Sequence, residues 1–322
     1  MVPIMITDVC HSAFCLNCQS QIRAETPILF DTRFGIGTPY HIARCESCGL
    51  EQTVPLPTGA ELKSLYETYY NFGGEEGEAD SRYVRLRKIF QNSFLWDMWL
   101  KIDGDISFHA MRGAGRLLDV GCNEGRGLIR YRSGGYSVEG LELNSKAAEA
   151  ARKKGFVVHS DLIEQFEPAE KYDVVVLSNV LEHSLNPAGM LTHVARMLNP
   201  GGQVWISCPN NQSWLRAVFG RFWINWHVPF HISHFSPQTL TGVLGKSGFD
   251  LKEFRQETPA LWVAHSVLAS VFSKPGHATR QLRSTVLVAG LMLLIRGLGF
   301  PLLWLGNRMG RGDCLLCVAA KR

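Results

Sequence analysis

The sequence predicts an α/β protein built on a doubly wound, mostly parallel sheet, with a small cysteine-rich ribbon in front of it. Three observations predict this. From Arg116 onward, short apolar runs alternate with capped amphipathic segments, the pattern of strands joined by crossover helices. A glycine-bearing loop, "DVGCNEG", follows the first of those runs, where sheets of this kind hold ligands at the carboxyl ends of their strands. Near the start stand two C-x-x-C pairs, Cys15/Cys18 and Cys45/Cys48, separated by 26 residues.

The ribbon comes first in the chain. Each C-x-x-C turn directs two thiolates at one centre, and two turns supply the four ligands of a tetrahedral zinc site. Strand-like pieces, "TPILFD" and "YHIARC", lie between the pairs, and Gly49 follows the second. A structural role is expected, because four thiolates leave no position open for a substrate. Cys10 lies outside the pattern and is read as a bystander. Residues 1–56 carry Arg23, Arg33 and Arg44 against Asp8, Glu25, Asp31, Glu46 and Glu51. That acidic balance lacks the cationic footprint of a nucleic-acid binder. "MVPIMITDVC" has no basic n-region and too short an apolar stretch for a signal peptide. A reducing, cytoplasmic setting is therefore expected, with the cysteines as metal ligands or buried thiols.

The sheet follows. Leu117–Val120 reads as a buried strand, and a helix begins after the loop at Gly125. "YSVEGLEL" is the second strand. "SKAAEAARKKG" is a helix capped by Asn144 or Ser145 and ended by Gly155. "FVVHSD" and "YDVVVLSNV" are the third and fourth strands, the latter nearly all apolar, as a strand covered on both faces should be. "AGMLTHVARMLNPGG" is a helix with its punctuation, and "QVWISCP" a fifth strand. A third C-x-x-C, Cys314/Cys317, sits in the strand-like "DCLLCVAA". Residues three apart on a strand point to opposite faces, so this pair is read as core.

The loop excludes some cofactors. A dinucleotide fingerprint needs G-x-G-x-x-G; Gly121 with Asn123 fails it, and so does Gly125-Arg126-Gly127, whose third position is Arg130. The G-K-[ST] of a P-loop is absent. What is left is an acidic residue and two glycines, Asp119, Gly121 and Gly125, with Glu142 at the end of the second strand placed for ribose hydroxyls. Asp161 ends the third strand region, where a carboxylate can meet an adenine amino group.

These residues resemble the class I S-adenosylmethionine-dependent methyltransferases: "LLDVGCNEG" their first motif, "GLEL" their second-strand acid, "SDL" their adenine-contacting segment, "YDVVVLSNVLEH" their fourth strand and "LNPGG" the turn before the fifth. Asn123 departs from the usual middle glycine, though Asn tolerates a left-handed backbone better than most residues. The order of cysteine ribbon, "LYETYY" helix, sheet, "PFHISHFSPQTL" and closing "GDCLLCVAAKR" is similar to one subgroup that bears a zinc ribbon and is found with polysaccharide and sugar biosynthesis. The resemblance implies a seven-stranded sheet and S-adenosylmethionine held by Asp119, Gly121, Asn123, Gly125, Glu142, Asp161, Leu162 and Asn179.

His183 follows the fourth strand directly and is a candidate base or acceptor contact; the plainer reading has Glu182 and His183 hold the loop in shape. His227, His231 and His234 lie in a loop, because Pro229 argues against a helix there. Ser236-Pro237 then reads as an N-cap and first helical residue. A second metal site, a substrate lid using His231 or His234, and ordinary loop packing are all open. His183, His231 and His234 are the candidates for catalysis. Tyr66, Tyr69 and Tyr70 share a helix face, for packing or, by the resemblance, as a lid. Cys122 and Cys208 are read as packing thiols.

The net charge of +4 is uneven: from Lys274 to Arg322 there are eight Lys/Arg and one acid, Asp313. Within that stretch Ser284–Gly306 approaches the length of a transmembrane helix, but Arg296 and Pro301 interrupt it, and the chain must return to give the sheet its last strand. One or two helices lying in an anionic membrane interface are expected, helped by Arg280, Arg283, Arg308 and Arg311. The alternatives are a cap packed on the sheet and a dimer surface. The expected organisation is a ribbon (1–56), a helical linker or lid (57–112), a catalytic domain (113–258 and 312–322) and an apolar basic insertion (259–311). The expected function is methyl transfer to a small molecule, a sugar or lipid-linked glycan precursor, by a cytoplasmic protein peripheral to the membrane. An RNA methyltransferase and a non-catalytic, membrane-associated scaffold are the alternatives.

Overall fold

The structure is a computed structural model and describes residues 13–24, 28–69 and 94–322. Cys10 and Tyr70 lie outside the described residues. In chain order the elements are β1 (Ala13–Phe14), β2 (Gln21–Ala24), β3 (His41–Arg44) and β4 (Glu51–Val54), then α1 (Gly59–Tyr69) and α2 (Phe94–Asp103). Next come β5 (Arg116–Val120), α3 (Arg126–Ser133), β6 (Ser137–Leu141), α4 (Ser145–Arg152), β7 (Val157–His159) and β8 (Tyr172–Ser178). They are followed by α5 (Pro187–Met197), β9 (Leu198–Pro209), α6 (Trp214–Phe219), β10 (Ser233–His234) and α7 (Pro237–Lys246). The chain closes with β11 (Phe249–Glu257), α8 (Ala260–Phe272), α9 (Thr285–Arg308) and β12 (Cys314–Lys321).

The helix starts follow from short polar side chains that satisfy free backbone N–H groups. Asn144 Oδ1 accepts from Ala147 N at 3.0 Å, and Asn186 Oδ1 from Gly189 N at 2.9 Å. Ser236 caps α7, with Thr239 returning a bond to the Ser236 N–H and Pro237 in the first turn.

The large sheet has the order β11-β12-β9-β8-β5-β6-β7. β7, β6, β5, β8 and β9 run parallel, whereas β12 is antiparallel to both its neighbours. The last strand thus inserts beside β9, as the return of the tail requires. Alternation on β9 and β12 shows that both sheet faces are covered. Val204, Ile206, Cys208, Leu315 and Cys317 enter one core, while Trp205, Cys314 and Leu316 enter the other. Cys314 and Cys317 are therefore core residues on opposite faces, and Cys122 and Cys208 are buried thiols that burial pushes up.

The ribbon does not stand apart. Its strands are antiparallel in the order β1-β2-β3-β4, and the fifth member of that sheet is β10, from the histidine loop. Ser233 pairs with Gln52 and His234 with Glu51. Ribbon residues Cys15, Ile22, Cys45 and Leu50 share the core that contains Val175, Ile206 and Leu240. The expected strand in "TPILFD" amounts, in its described part, to one isolated bridge between Leu29 and Tyr40.

The tail helix α9 is lashed to the body through the residue that most conflicts with its apolar character. Arg296 is 8% exposed; its Nε donates to Asp103 Oδ1 at 2.5 Å, and its Nη2 to the carbonyls of Asp103 and Thr258. Asp103 also accepts from Ala260 N, at the start of α8. One buried ion pair thus ties α2, α8 and α9 together. Near its end α9 passes so close to Trp214 that a Cβ on Gly306 would stand 2.4 Å from the indole nitrogen. Breaking a buried pair from one side strands the other charge. Arg296→Ala should lower unfolding stability by about 3–5 kcal/mol in denaturant titrations. Arg296→Met combined with Asp103→Leu should recover part of that loss.

Candidate functional site

The strand ends at the carboxyl edge of the large sheet carry the predicted cofactor residues. β5 delivers Asp119 and then turns through Gly121 (φ 71°), Asn123 (φ 48°) and Gly125 (φ 78°). Three left-handed residues in five bend the chain sharply enough to start α3 beneath the loop. A Cβ at Gly125 would sit 3.1 Å from Ala151 Cβ, so the loop also packs close on α4. Asn123 occupies its left-handed position with its own Nδ2 donating to Gly121 O at 2.9 Å, the local bond that lets Asn replace glycine.

Glu142, just after β6, buttresses this loop. Its Oε2 accepts from Asn123 N at 2.9 Å and its Oε1 from Asn144 N at 2.7 Å. A carboxylate has about four lone-pair sites, so two bonds leave acceptor capacity for a hydroxylated ligand. Burial raises its pKa, and burial and then the Glu142 charge push buried Asp119 up to about 8. Asn179 follows β8 with φ 54°, and its N–H donates to Ser207 O at 2.9 Å. Asp161 and Leu162 are exposed on the loop after β7. Asp161 borders a groove along the β7 edge in which Glu139 pairs with Arg116 and is hydrogen-bonded to His159.

Beside the end of β8 a second group forms. Glu182 and His183 lie in a short turn, Leu181–His183, and His231 comes from the loop that precedes β10. One donor atom from each lies within 4.8 Å of the others. His183 Nδ1 donates to Phe230 O at 2.9 Å, with the Tyr66 hydroxyl 2.8 Å from the same nitrogen. His231 Nδ1 donates to Asn225 O at 2.8 Å. Carbonyl oxygens only accept, so both rings carry their proton on Nδ1 and present a lone pair at Nε2. Burial holds His183 down, to about 4, and holds His231 well below the ordinary histidine range. Glu182 is 1% exposed, neither of its carboxylate oxygens has a hydrogen-bond partner, and burial pushes it up to about 8.

The structure separates the three histidines proposed for catalysis. His183 and His231 stack edge to face at 4.8 Å between ring centroids. His234 is directed elsewhere: it lies in β10, its Nε2 bonds Thr53 Oγ1 at 2.9 Å, and its ring packs on Trp226. Strand pairing with the ribbon gives it a structural position. His227, in a left-handed conformation (φ 37°), packs against His231 and Phe230. Two participants went unrecognised in the sequence. Glu182 was read only as a loop former, although its place beside His183 was the available signal. Tyr66 was read as packing or lid, and no local pattern joins it to His183, 117 residues away.

In the ribbon the four thiols converge. Cys15 Sγ stands 3.4 Å from Cys48 Sγ, and Cys18 Sγ 3.4 Å from Cys45 Sγ. Zinc–sulfur bonds of about 2.3 Å place tetrahedral sulfurs roughly 3.8 Å apart, so donor set and spacing suit such an ion. Gly49 (φ 76°) supplies the left-handed residue in the second turn.

The parallel sheet with one antiparallel strand inserted beside β9, and the glycine loop answered by an acid on the next strand, define a Rossmann-like methyltransferase fold. Residues 101–253 match the family model described as a methyltransferase domain. Among curated relatives, a ubiquinone biosynthesis O-methyltransferase of Burkholderia vietnamiensis is 33% identical over 39% of this chain and 59% of its own length. One of Salmonella arizonae is 29% identical over 48% of this chain and 61% of its own. The chain thus spans about three fifths of the length of these relatives. A solved structure, the cyclopropane synthase MmaA2 of Mycobacterium tuberculosis, aligns with a TM-score of 0.44 at 18% identity, covering 69% of this chain and 83% of that one.

Two outcomes test the loop. Asn123→Gly keeps the backbone bond to Glu142 and relieves a left-handed non-glycine residue, so S-adenosylmethionine affinity by calorimetry should stay within about three-fold, less than 1 kcal/mol. Asp119 is held neutral in the fold up to about 8 but ionises near 4 when unfolded. Its contribution is therefore complete below pH 4 and is lost as the pH rises toward 8. The melting temperature of ligand-free Asp119→Asn, relative to the parent, should climb between pH 5 and pH 8 and then level off.

Proposed function

We propose that the protein transfers the methyl group of S-adenosylmethionine to a small-molecule acceptor, a sugar or a lipid-linked glycan precursor met at the membrane surface. The observation that carries the reading is the bond from Glu142 to the Asn123 N–H, which holds the family's glycine loop closed on the second-strand acid. Asp119, Gly121, Asn123, Gly125, Glu142, Asp161, Leu162 and Asn179 hold the cofactor, whose sulfonium supplies an activated methyl group. The enzyme's task is then alignment of the acceptor and management of its proton. His183 and His231 stand at the carboxyl edge with Nε2 unprotonated and address the acceptor oxygen. Tyr66, bonded to His183, brings α1 over this edge. Zinc on Cys15, Cys18, Cys45 and Cys48 fixes the ribbon, and with it the β4–β10 pairing that carries the histidine loop.

The membrane part of the reading rests on α9. It is long and apolar enough, by length and composition, to cross a bilayer, with a mean hydropathy of 2.1 and only 17% of its window buried. Its attachment through Arg296 and Gly306 supports a different arrangement, in which it lies along the body with Leu293, Leu298, Leu302 and Trp304 turned outward. Between Lys274 and Gly312 there are six Lys/Arg and no Asp or Glu, a charge balance that suits anionic headgroups. Relatives named for ubiquinone biosynthesis also favour an acceptor with a lipid part.

Thermal shift tests the cofactor. S-adenosylmethionine and its demethylated product should each raise the melting temperature while NAD does not; no shift with either would remove the enzyme reading and favour a scaffold. Vesicle sedimentation tests the surface. The full chain should pellet with phosphatidylglycerol vesicles, and Leu293→Ser/Leu298→Ser/Trp304→Ser should weaken binding at least about ten-fold. Equal partition of the two proteins would refute an interfacial α9.

A further inference from the structure

We propose that Glu182, His183 and His231 form a divalent-cation site, separate from the four-cysteine centre, that binds the acceptor through oxygen. Two independent observations meet here. The first is the donor set: two imidazoles and one carboxylate, each offering an atom within 4.8 Å of the other two. Both imidazoles have their Nδ1–H taken by a backbone carbonyl, Phe230 O for His183 and Asn225 O for His231. That arrangement is what orients metal-ligating histidines, because it fixes the tautomer and leaves Nε2 as the donor. The second is Glu182, 1% exposed with both carboxylate oxygens unpartnered. A buried carboxyl without a partner is costly. Nothing among the described residues is within hydrogen-bond distance of it, since the nearest cationic candidate, His231 Nε2, stands 3.9 Å from Oε1. A divalent cation would take one atom from each of the three, a carboxylate oxygen and a ring nitrogen of each imidazole.

The chemistry of the set narrows the ion. Two nitrogens and one carboxylate suit manganese, iron, cobalt or zinc more than calcium or magnesium. Bonds of about 2.1 Å place neighbouring ligand atoms roughly 3 Å apart, so binding requires the three side chains to close by an ångström or more. His231 can do so only with its loop, whose next residue, Ile232, is bonded by its N–H to Glu182 O at 2.8 Å. Glu182 and the histidine loop are thus already joined through the backbone.

Three protein ligands leave positions open for the acceptor. This rests on the methyl-transfer reading above and deepens it: the acceptor is a molecule with a hydroxyl, or two adjacent hydroxyls, able to coordinate. Coordination lowers the hydroxyl's pKa, and the proton leaves to water. The oxyanion lone pair then forms the O–CH3 bond as the S–CH3 bond breaks, and the electron pair of that bond neutralises the sulfonium. His183 and His231 are thereby ligands rather than bases.

The test uses the full chain with its cysteine site filled by zinc, and Mn2+ and Co2+ as probes. Free Mn2+ is counted by electron paramagnetic resonance, and Co2+ is followed by its visible absorption. One saturable site per chain for at least one ion is expected. Glu182→Gln, nearly isosteric, and His231→Ala should each weaken it at least ten-fold without changing zinc content or far-ultraviolet circular dichroism. Absence of a saturable site for both ions overturns the proposal, as does a site that survives Glu182→Gln unchanged. S-adenosylmethionine binding, measured on the same samples by calorimetry, separates the two readings: its loss in the parent protein would refute the methyl-transfer reading and leave the metal measurement to stand by itself.

Discussion

Residues 230–235 are hydrogen-bonded on both sides, and the rest of the site depends on that. Ile232 N–H donates to Glu182 O in the turn after β8, and Ile232 O accepts from Thr53 N in the ribbon. Thr53 Oγ1 donates to His231 O at 2.6 Å, and Asn211 Nδ2 to His234 O. A short extended segment is thus threaded between the catalytic sheet and the ribbon, joining the two. Remove either flank and the backbone groups of a buried loop lose their partners, which costs about 1–3 kcal/mol for each group left unpaired.

This explains why a ribbon with no open metal position belongs to the same machine as the glycine loop. The four cysteines set the β3–β4 hairpin, β4 sets β10, and the chain entering β10 sets His231 opposite Glu182 and His183. The neutral state of the histidines follows from the same burial.

The tail shows how one contact changes the meaning of an apolar segment. A 24-residue apolar helix by itself reads as a span. The Arg296–Asp103 pair and the approach at Gly306 fasten it along the body, and β12 returns straight into the sheet. Among the described residues the outward face is the part of the helix without protein against it.

Much of this was legible in the residues. The alternation of runs determined the sheet, because period-two and capped 3.6-residue patterns are local consequences of backbone geometry. The two C-x-x-C pairs determined a four-thiol centre, and "DVGCNEG" with Glu142 determined a glycine loop closed on the second-strand acid, because in each case the partners are bound to adjacent turns or strands. What only the tertiary structure decided has long sequence separation. His231 reaches Glu182 and His234 reaches Thr53 across 49 and 181 residues, so two histidines three residues apart in one loop take different partners. Which of them stands beside Glu182 is set by strand register, and a shift of one residue would exchange the faces of the strand; no local pattern in the loop encodes that register, since it comes from pairing with a ribbon edge built near the other end of the chain.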